Sequence, residues 1–399
     1  MEKANLRITL VIWLVLGSIC MVVMLAVAAH KTVVIADTPK EQGELTASLE
    51  KNTISTKSMS LLLNSDASDG KLRIPLEKGI KAENVVMENH YTEKELWIYI
   101  RGGEMDFYEE NAIHGDIRKV GVSRLEEQSD GLVIKLQMAE VFEYKSVLEN
   151  NTLTITYIIP KEIYKQIVVI DPVCGGEERG AVYGGCVEKD IVLQVARLLP
   201  AQLDSADIKL YFTRTEDVSV SDEERKALVK AVDADMFIGI GVSADEENLN
   251  KYGISGIYNE EYYIPEFGSV ELADALTRQV TIASGNKALG LRTALQDDII
   301  KELQVPAARI NLGYLSNEKE RTLIQRDSYQ EKLAKGIGEA IMEVYKKYYL
   351  PSMWRRLLNI RFSLRTRRPL LRWLGRMVIT DGLQNFLRLT GLLSRLTCR

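Results

Sequence analysis

A chain of 399 residues with 46% hydrophobic and 27% charged side chains has room for two folded domains plus flanking segments, and its composition excludes the fibrous and disordered classes. The net charge of −5 is unevenly spread. Residues 350–399 hold eleven Arg, no Lys and one acid, Asp381, so the rest of the chain is strongly acidic, which argues against nucleic acid as a partner. Four cysteines (Cys20, Cys174, Cys186, Cys398) are too few for a disulfide scaffold, and the three histidines (His30, His90, His114) all lie in the first third.

Residues 8–29 form a 22-residue run without a charge, ITLVIWLVLGSICMVVMLAVAA, long enough to cross a bilayer. Lys3 and Arg7 precede it, so the positive-inside rule puts the N-terminus in the cytoplasm and the bulk of the chain outside. We read 1–30 as cytoplasmic N-terminus and membrane anchor of a single-pass membrane protein. Ala26, Ala28 and Ala29 leave a cleaved signal as the alternative. Residues 31–65 are polar and without period, and read as a linker. Between 66 and 160 short alternating runs (KLRIPL, ELWIYI, GLVIKLQM, TLTITYII) predict a small antiparallel β-rich domain.

From 161 to 349 strand and helix signals alternate. Strands are expected at 167–170, 208–212 and 236–240, and helices at 191–203, 221–232, 270–284 and 329–348. Ser221 with Glu224 three residues on reads as a capping box. The alternation predicts an α/β domain, a mixed or parallel sheet with flanking helices. The most informative stretch is 167–190, IVVIDPVCGGEERGAVYGGCVEKD, in which a β-branched run ends at Asp171-Pro172, a glycine-rich loop follows, and Glu188 opens a helix. Open α/β domains place ligand sites at that strand end. Gly239-x-Gly241-x-x-Ala244 mimics a dinucleotide fingerprint, but the polar DEENLNKYG that follows cannot open the helix the fingerprint needs.

The segments IDPVCGG, GGCVEKDI, TRTEDVSVSDEERKALVKAVDAD, MFIGIGVSAD, YGISG and VPAARINLGYLSNEKE together make residues 166–349 resemble the zinc-dependent N-acetylmuramoyl-L-alanine amidases that cut peptidoglycan. The resemblance implies zinc held by a His, a Glu and a second His, with a further Glu as general base. Carried across, the first His falls on Cys174, the ligand Glu on Glu188, the second His on Gly241 and the catalytic Glu on Asn311. Cys174 and Glu188 have ligand chemistry; Gly241 has none, and Asn311 cannot accept a proton from water. Losing a general base lowers a rate by roughly 10²–10⁴, and losing the metal removes the source of hydroxide. The implied reading is a cell-envelope pseudoenzyme with no cofactor. It would bind peptidoglycan, or regulate another cell-wall hydrolase, through loops 175–185 and 243–256.

The alternative is a working amidase with an unconventional zinc site, for instance Cys174, Cys186 and Glu188. Cys174 and Cys186 are also close enough in sequence for a disulfide in an oxidising compartment. Arg214 matches a family position and is a weaker candidate for substrate binding, a structural ion pair being the commoner use. Glu188 could equally be an acid serving its helix N-terminus. The tail, 350–399, reads either as a basic amphipathic segment for anionic lipid or polymer, or as an extension without selected structure.

Overall fold

The computed structural model describes residues 32–34, 57–203, 205, 207–260, 266–295 and 299–349. The anchor expected at 8–29 and the Arg-rich tail lie outside the described residues; among the described residues no helix is long and apolar enough to cross a membrane.

The first part is a two-sheet sandwich. Its strands are β1 (Thr32–Val34), β2 (Ser58–Ser60), β3 (Leu63–Ser65), β4 (Lys71–Pro75), β5 (Val85–His90), β6 (Glu95–Arg101), β7 (Ile113–Gly115), β8 (Val120–Gln128), β9 (Gly131–Met138), β10 (Glu143–Glu149) and β11 (Thr152–Ile158). One sheet runs β1-β10-β11-β4-β7-β3 and the other β2-β8-β9-β6-β5. Alternation builds the core: Leu72 and Ile74, Leu96, Ile98 and Ile100, Leu132, Ile134 and Leu136, and Leu153 and Ile155 all point between the sheets and are buried. The stretch read as a linker, 31–65, needs correcting, because it contributes β1, β2 and β3. These strands are three residues long, β1 and β3 lie at the two ends of their sheet, β2 at an end of the other, and pairing is carried by the backbone, so no apolar period announces them.

The second part is an α/β domain around one mixed sheet. Its strands are β12 (Gln166–Pro172), β15 (Ile208–Phe212), β16 (Met236–Ser243), β17 (Ile254–Tyr258), β18 (Ala288–Thr293) and β19 (Ala307–Tyr314), in the order β15-β12-β16-β19-β17-β18. A small hairpin, β13 (Val182–Tyr183) with β14 (Cys186–Val187), projects from the loop after β12. The β12, β15, β16 and β19 strands are mutually parallel; β17 pairs antiparallel with β19, which makes the sheet mixed. The main helices are α1 (Glu188–Leu198), α2 (Asp222–Ala231), α3 (Ser269–Ser284), α4 (Glu318–Ile324) and α5 (Asp327–Val344). The expected Ser221 capping box is present, with Ser221 Oγ accepting from the Glu224 N–H and Glu224 accepting from the Ser221 N–H. The helix expected over 191–203 stops at Leu198, where Pro200 starts a separate 3₁₀ turn.

The two faces of this sheet differ, and the difference positions the site. One face (Val168, Ile170; Met236, Ile238, Ile240, Val242; Ala308, Ile310, Leu312) is apolar along its whole length and packs on α1, α3 and α5. The other face begins apolar, with Ile167, Val169, Phe237, Ala307 and Ile257 against Leu228 and Val229 of α2. Toward the carboxyl ends of the parallel strands the same alternating positions become Asp171, Gly239, Gly241, Arg309 and Asn311. The apolar layer therefore stops short, and a polar floor opens at the strand ends.

Candidate functional site

The floor is set by strand register. Asp171 stands opposite Gly239, Gly239 opposite Arg309, and Gly241 opposite Asn311. Asp171 is buried and tied down: it accepts from Thr213 Oγ1 (2.6 Å) and from Arg225 Nε (2.9 Å), a buried ion pair that anchors α2 to β12.

The loop after β12 carries Cys174, a non-glycine residue at φ +63°. Its thiol faces Glu178 Oε1 at 3.6 Å. Burial pushes the thiol up to about 12, with the Glu188 and Glu178 carboxylates adding to the shift. The loop is pinned from outside by Asp217, which accepts from Gly176 N (2.8 Å) and Lys189 Nζ (2.6 Å).

Glu188 opens α1 and its carboxylate reaches the floor. Oε2 accepts from Ala181 N at 2.8 Å and Oε1 from Val242 N at 2.7 Å. Burial raises its proton affinity, while those two N–H groups and the positive charge of Arg309 pull the other way. Gly180 sits between the two candidate ligands at φ +66°. A Cβ there would lie 2.5 Å from Glu188 Oε2 and 2.8 Å from Cys174 Sγ, so Cys174 and Glu188 share one small space.

Of the five residues singled out in the sequence, the fold brings four together: Cys174, Glu188, Gly241 and Asn311. Asn311 is buried; its Oδ1 accepts from Ser243 Oγ (2.9 Å), and among the described residues its Nδ2 has no hydrogen-bond partner. Arg214 is the exception and its proposed ligand role needs correcting. It is buried and donates to four backbone carbonyls, those of Pro172, Val173, Lys189 and Glu216. The guanidinium that could have faced a substrate is consumed in stapling the β12 loop to α1. Cys174 and Cys186 are both free thiols, so the disulfide alternative is also corrected; Cys186 faces the Gln325 amide and joins the core behind the sheet.

Arg309 is the site residue the sequence did not single out. Its side chain runs along the floor: a Cβ on Gly239 would lie 3.2 Å from Arg309 Cγ, and one on Gly241 would lie 3.3 Å from Arg309 Cδ and 3.2 Å from Glu188 Oε1. Only the bareness of Gly239 and Gly241 could have pointed to it. Glu320 is a second carboxylate with no sequence signal, and its role is structural. Buried at the start of α4, it accepts from the N–H groups of Gly253 and Tyr314 and from Asn286 Nδ2, and so fixes the end of β19.

A catalytic zinc takes three protein ligands and leaves a position for water. Gly241 offers no donor and Asn311 a neutral amide, which leaves Cys174 and Glu188 as two donors where three are needed. The Glu188 carboxylate is already engaged by two backbone donors with a guanidinium close by. Among the described residues, no three His, Cys, Asp or Glu side chains converge as a metal set. The side chains present do not fit the ion.

Residues 168–343 match a family model described as N-acetylmuramoyl-L-alanine amidase. The germination-specific N-acetylmuramoyl-L-alanine amidase of Bacillus subtilis is 25% identical over 221 residues, covering 51% of this chain and 90% of the relative. LytC of the same organism, also an N-acetylmuramoyl-L-alanine amidase, is 23% identical over 181 residues; the match covers 45% of this chain and 36% of LytC, so this chain spans about a third of that relative's length. A crystal structure of an N-acetylmuramoyl-L-alanine amidase from Clostridium difficile 630 aligns with a TM-score of 0.43 at 27% identity, over 46% of this chain and 98% of that one. Over residues 168–343 the α/β domain is thus similar to the N-acetylmuramoyl-L-alanine amidases.

Proposed function

We propose that this chain is an extracytoplasmic cell-envelope protein whose amidase-like domain is catalytically silent and works by binding peptidoglycan. The observation that carries the reading is the pairing of Gly241 with Asn311 on adjacent strands. The resemblance puts a ligand and a general base at those two positions, and neither residue has the chemistry. Around them the scaffold is intact. The 173–187 loop and the 243–253 loop rise from the same end of the sheet, and they expose Val182, Leu249 and Tyr252 beside polar backbone. Exposed apolar and aromatic groups over a polar floor suit a glycan-peptide polymer. The family's substrate and the cell-wall names of the relatives support peptidoglycan as the ligand. Residues 8–29 would anchor the chain in the membrane, and the cationic tail would add attraction to anionic lipid or wall polymer. A partner hydrolase bound through the same loops is the regulatory form of the same role.

The test is sedimentation of the purified full chain with isolated sacculi. We expect retention on the sacculi and no release of stem peptide under conditions where an active family member releases it. A working enzyme with an unconventional site, for which the closeness of Cys174 and Glu188 is the favourable observation, would instead liberate stem peptide in a chelator-sensitive way. Absence of retention would remove the binding role.

A further inference from the structure

We propose that Arg309 is the resident cation of this site: its guanidinium arm occupies the space a metal centre would need beside Glu188, and it excludes zinc. The inference rests on reading the site as metal-free and identifies what has replaced the metal.

Three observations carry it. Arg309 lies in the middle of β19, flanked by β16 on one side and β17 on the other, opposite Gly239 and Ile257. Its arm lies over the strand-end floor, with Cγ and Cδ above the β16 glycines. The two residues of β16 beneath that floor are both glycine. The Gly239 position comes within 3.2 Å of Arg309 Cγ and the Gly241 position within 3.3 Å of Cδ, so side chains there would meet the arm. A side chain with a ligand nitrogen at position 241 and the present arm of Arg309 would compete for one volume. Finally, Cδ of the arm and Oε1 of Glu188 both lie within about 3.3 Å of the same point above Gly241, while Nε sits over Gly239 at 3.5 Å from its Cβ position.

Chemistry agrees with the geometry. A half-buried carboxylate-lined floor needs positive charge, and Arg supplies it permanently, without a ligand set and without exchange with solvent. A divalent ion brought to the same carboxylate would meet a fixed like charge in a partly desolvated space. An imidazole at position 241 and the present arm of Arg309 would therefore contend for the same space.

The test measures zinc bound to the full chain by elemental analysis after dialysis against micromolar zinc, with near-ultraviolet circular dichroism as the check of folding. We expect substoichiometric zinc on the unaltered chain and on Gly241→His, because Arg309 is present in both. We expect near-stoichiometric zinc on Gly241→His/Arg309→Leu, where Cys174, Glu188 and the introduced imidazole can converge. Stoichiometric zinc on the unaltered chain, or on folded Gly241→His, overturns the proposal; so does a folded double variant that takes up none. If the double variant does not fold, Arg309→Lys/Gly241→His replaces it. That variant keeps the charge and should stay zinc-free, and zinc uptake by it overturns the proposal. None of these measurements reads sacculus retention, so a chain that excludes zinc yet ignores sacculi fails the binding role alone.

Discussion

Cys174 shows how the environment of a single side chain decides between a reactive and an inert reading. Its thiol is held up to about 12 by burial and by the Glu188 and Glu178 carboxylates. A group raised in this way keeps its proton in the folded chain, and the stability linked to it is lost as pH climbs from the ordinary thiol range toward the raised value. The neutral range therefore contains no thiolate to speak of. At pH 8 the thiolate fraction is on the order of 10⁻⁴, against roughly a quarter for an ordinary cysteine. Peptide-resolved alkylation should therefore find Cys174 about 10³-fold slower than a model thiol at pH 8, with a rate still rising at pH 10. A plateau near pH 8 to 9 would mean an activated cysteine and would revive nucleophilic chemistry. The side chain's identity was legible in the sequence, as was the position of Glu188 at a helix start after a glycine loop. Arg309 was not, because AARINLGY reads as an ordinary strand carrying one charge. Its meaning comes from the register that lays it over Gly239 and Gly241, and register between strands far apart in sequence leaves no local signal.

The loop between β12 and α1 is the element that joins fold to site, and its glycines are of two kinds. Gly180 and Gly185 both have positive φ, +66° and +82°. A Cβ on Gly180 would strike Glu188 Oε2 and Cys174 Sγ, whereas one on Gly185 would meet nothing within 4 Å. Gly185→Ala should therefore lower stability by about 1–2 kcal/mol, the strain of a left-handed alanine alone. Gly180→Ala should lose about 1–3 kcal/mol more as the carboxylate or the thiol is pushed from its place. Thermal melts of the two variants against the parent measure the difference, and equal losses would show that Cys174 and Glu188 do not close on Gly180. Element existence was readable where burial is one-sided and periodic, as in β4 (Lys71–Pro75), or where a cap announces the start, as in the helix at Ser221. It was not readable in β18, whose six residues are all exposed, or in β1, β2 and β3, which are too short to show a period. Strands of both kinds exist through backbone pairing supplied by a neighbour.

Across the whole molecule, the sandwich and the α/β domain meet at β15, the outermost strand of the second sheet. The Tyr91 hydroxyl accepts from Phe212 N (2.9 Å) and donates to Phe212 O (3.1 Å), capping exposed edge groups as a further strand would. Its ring stands edge-on to Tyr211 at 4.9 Å. Beside it the buried Glu143 of β10 accepts from the Tyr211 hydroxyl and pairs with Lys209 at 3.1 Å, and Val141 enters the core under the sheet. Burial and the neighbouring Glu143 charge keep the Tyr211 hydroxyl protonated far above the neutral range, so it remains a donor. These contacts predict that the two parts unfold together. Tyr91→Phe removes two hydrogen bonds at about 0.5–1.5 kcal/mol each. Glu143→Ala removes the acceptor of a buried hydroxyl and the carboxylate paired with Lys209, a loss of about 1–3 kcal/mol for the unsatisfied buried donor. Calorimetry should show one transition for the parent and two for Tyr91→Phe/Glu143→Ala, with the sandwich and the α/β domain melting separately. A single transition in the double variant would mean that the sheet edge is held by other contacts. Separate melting would show that the sandwich is fixed to the α/β domain by this edge.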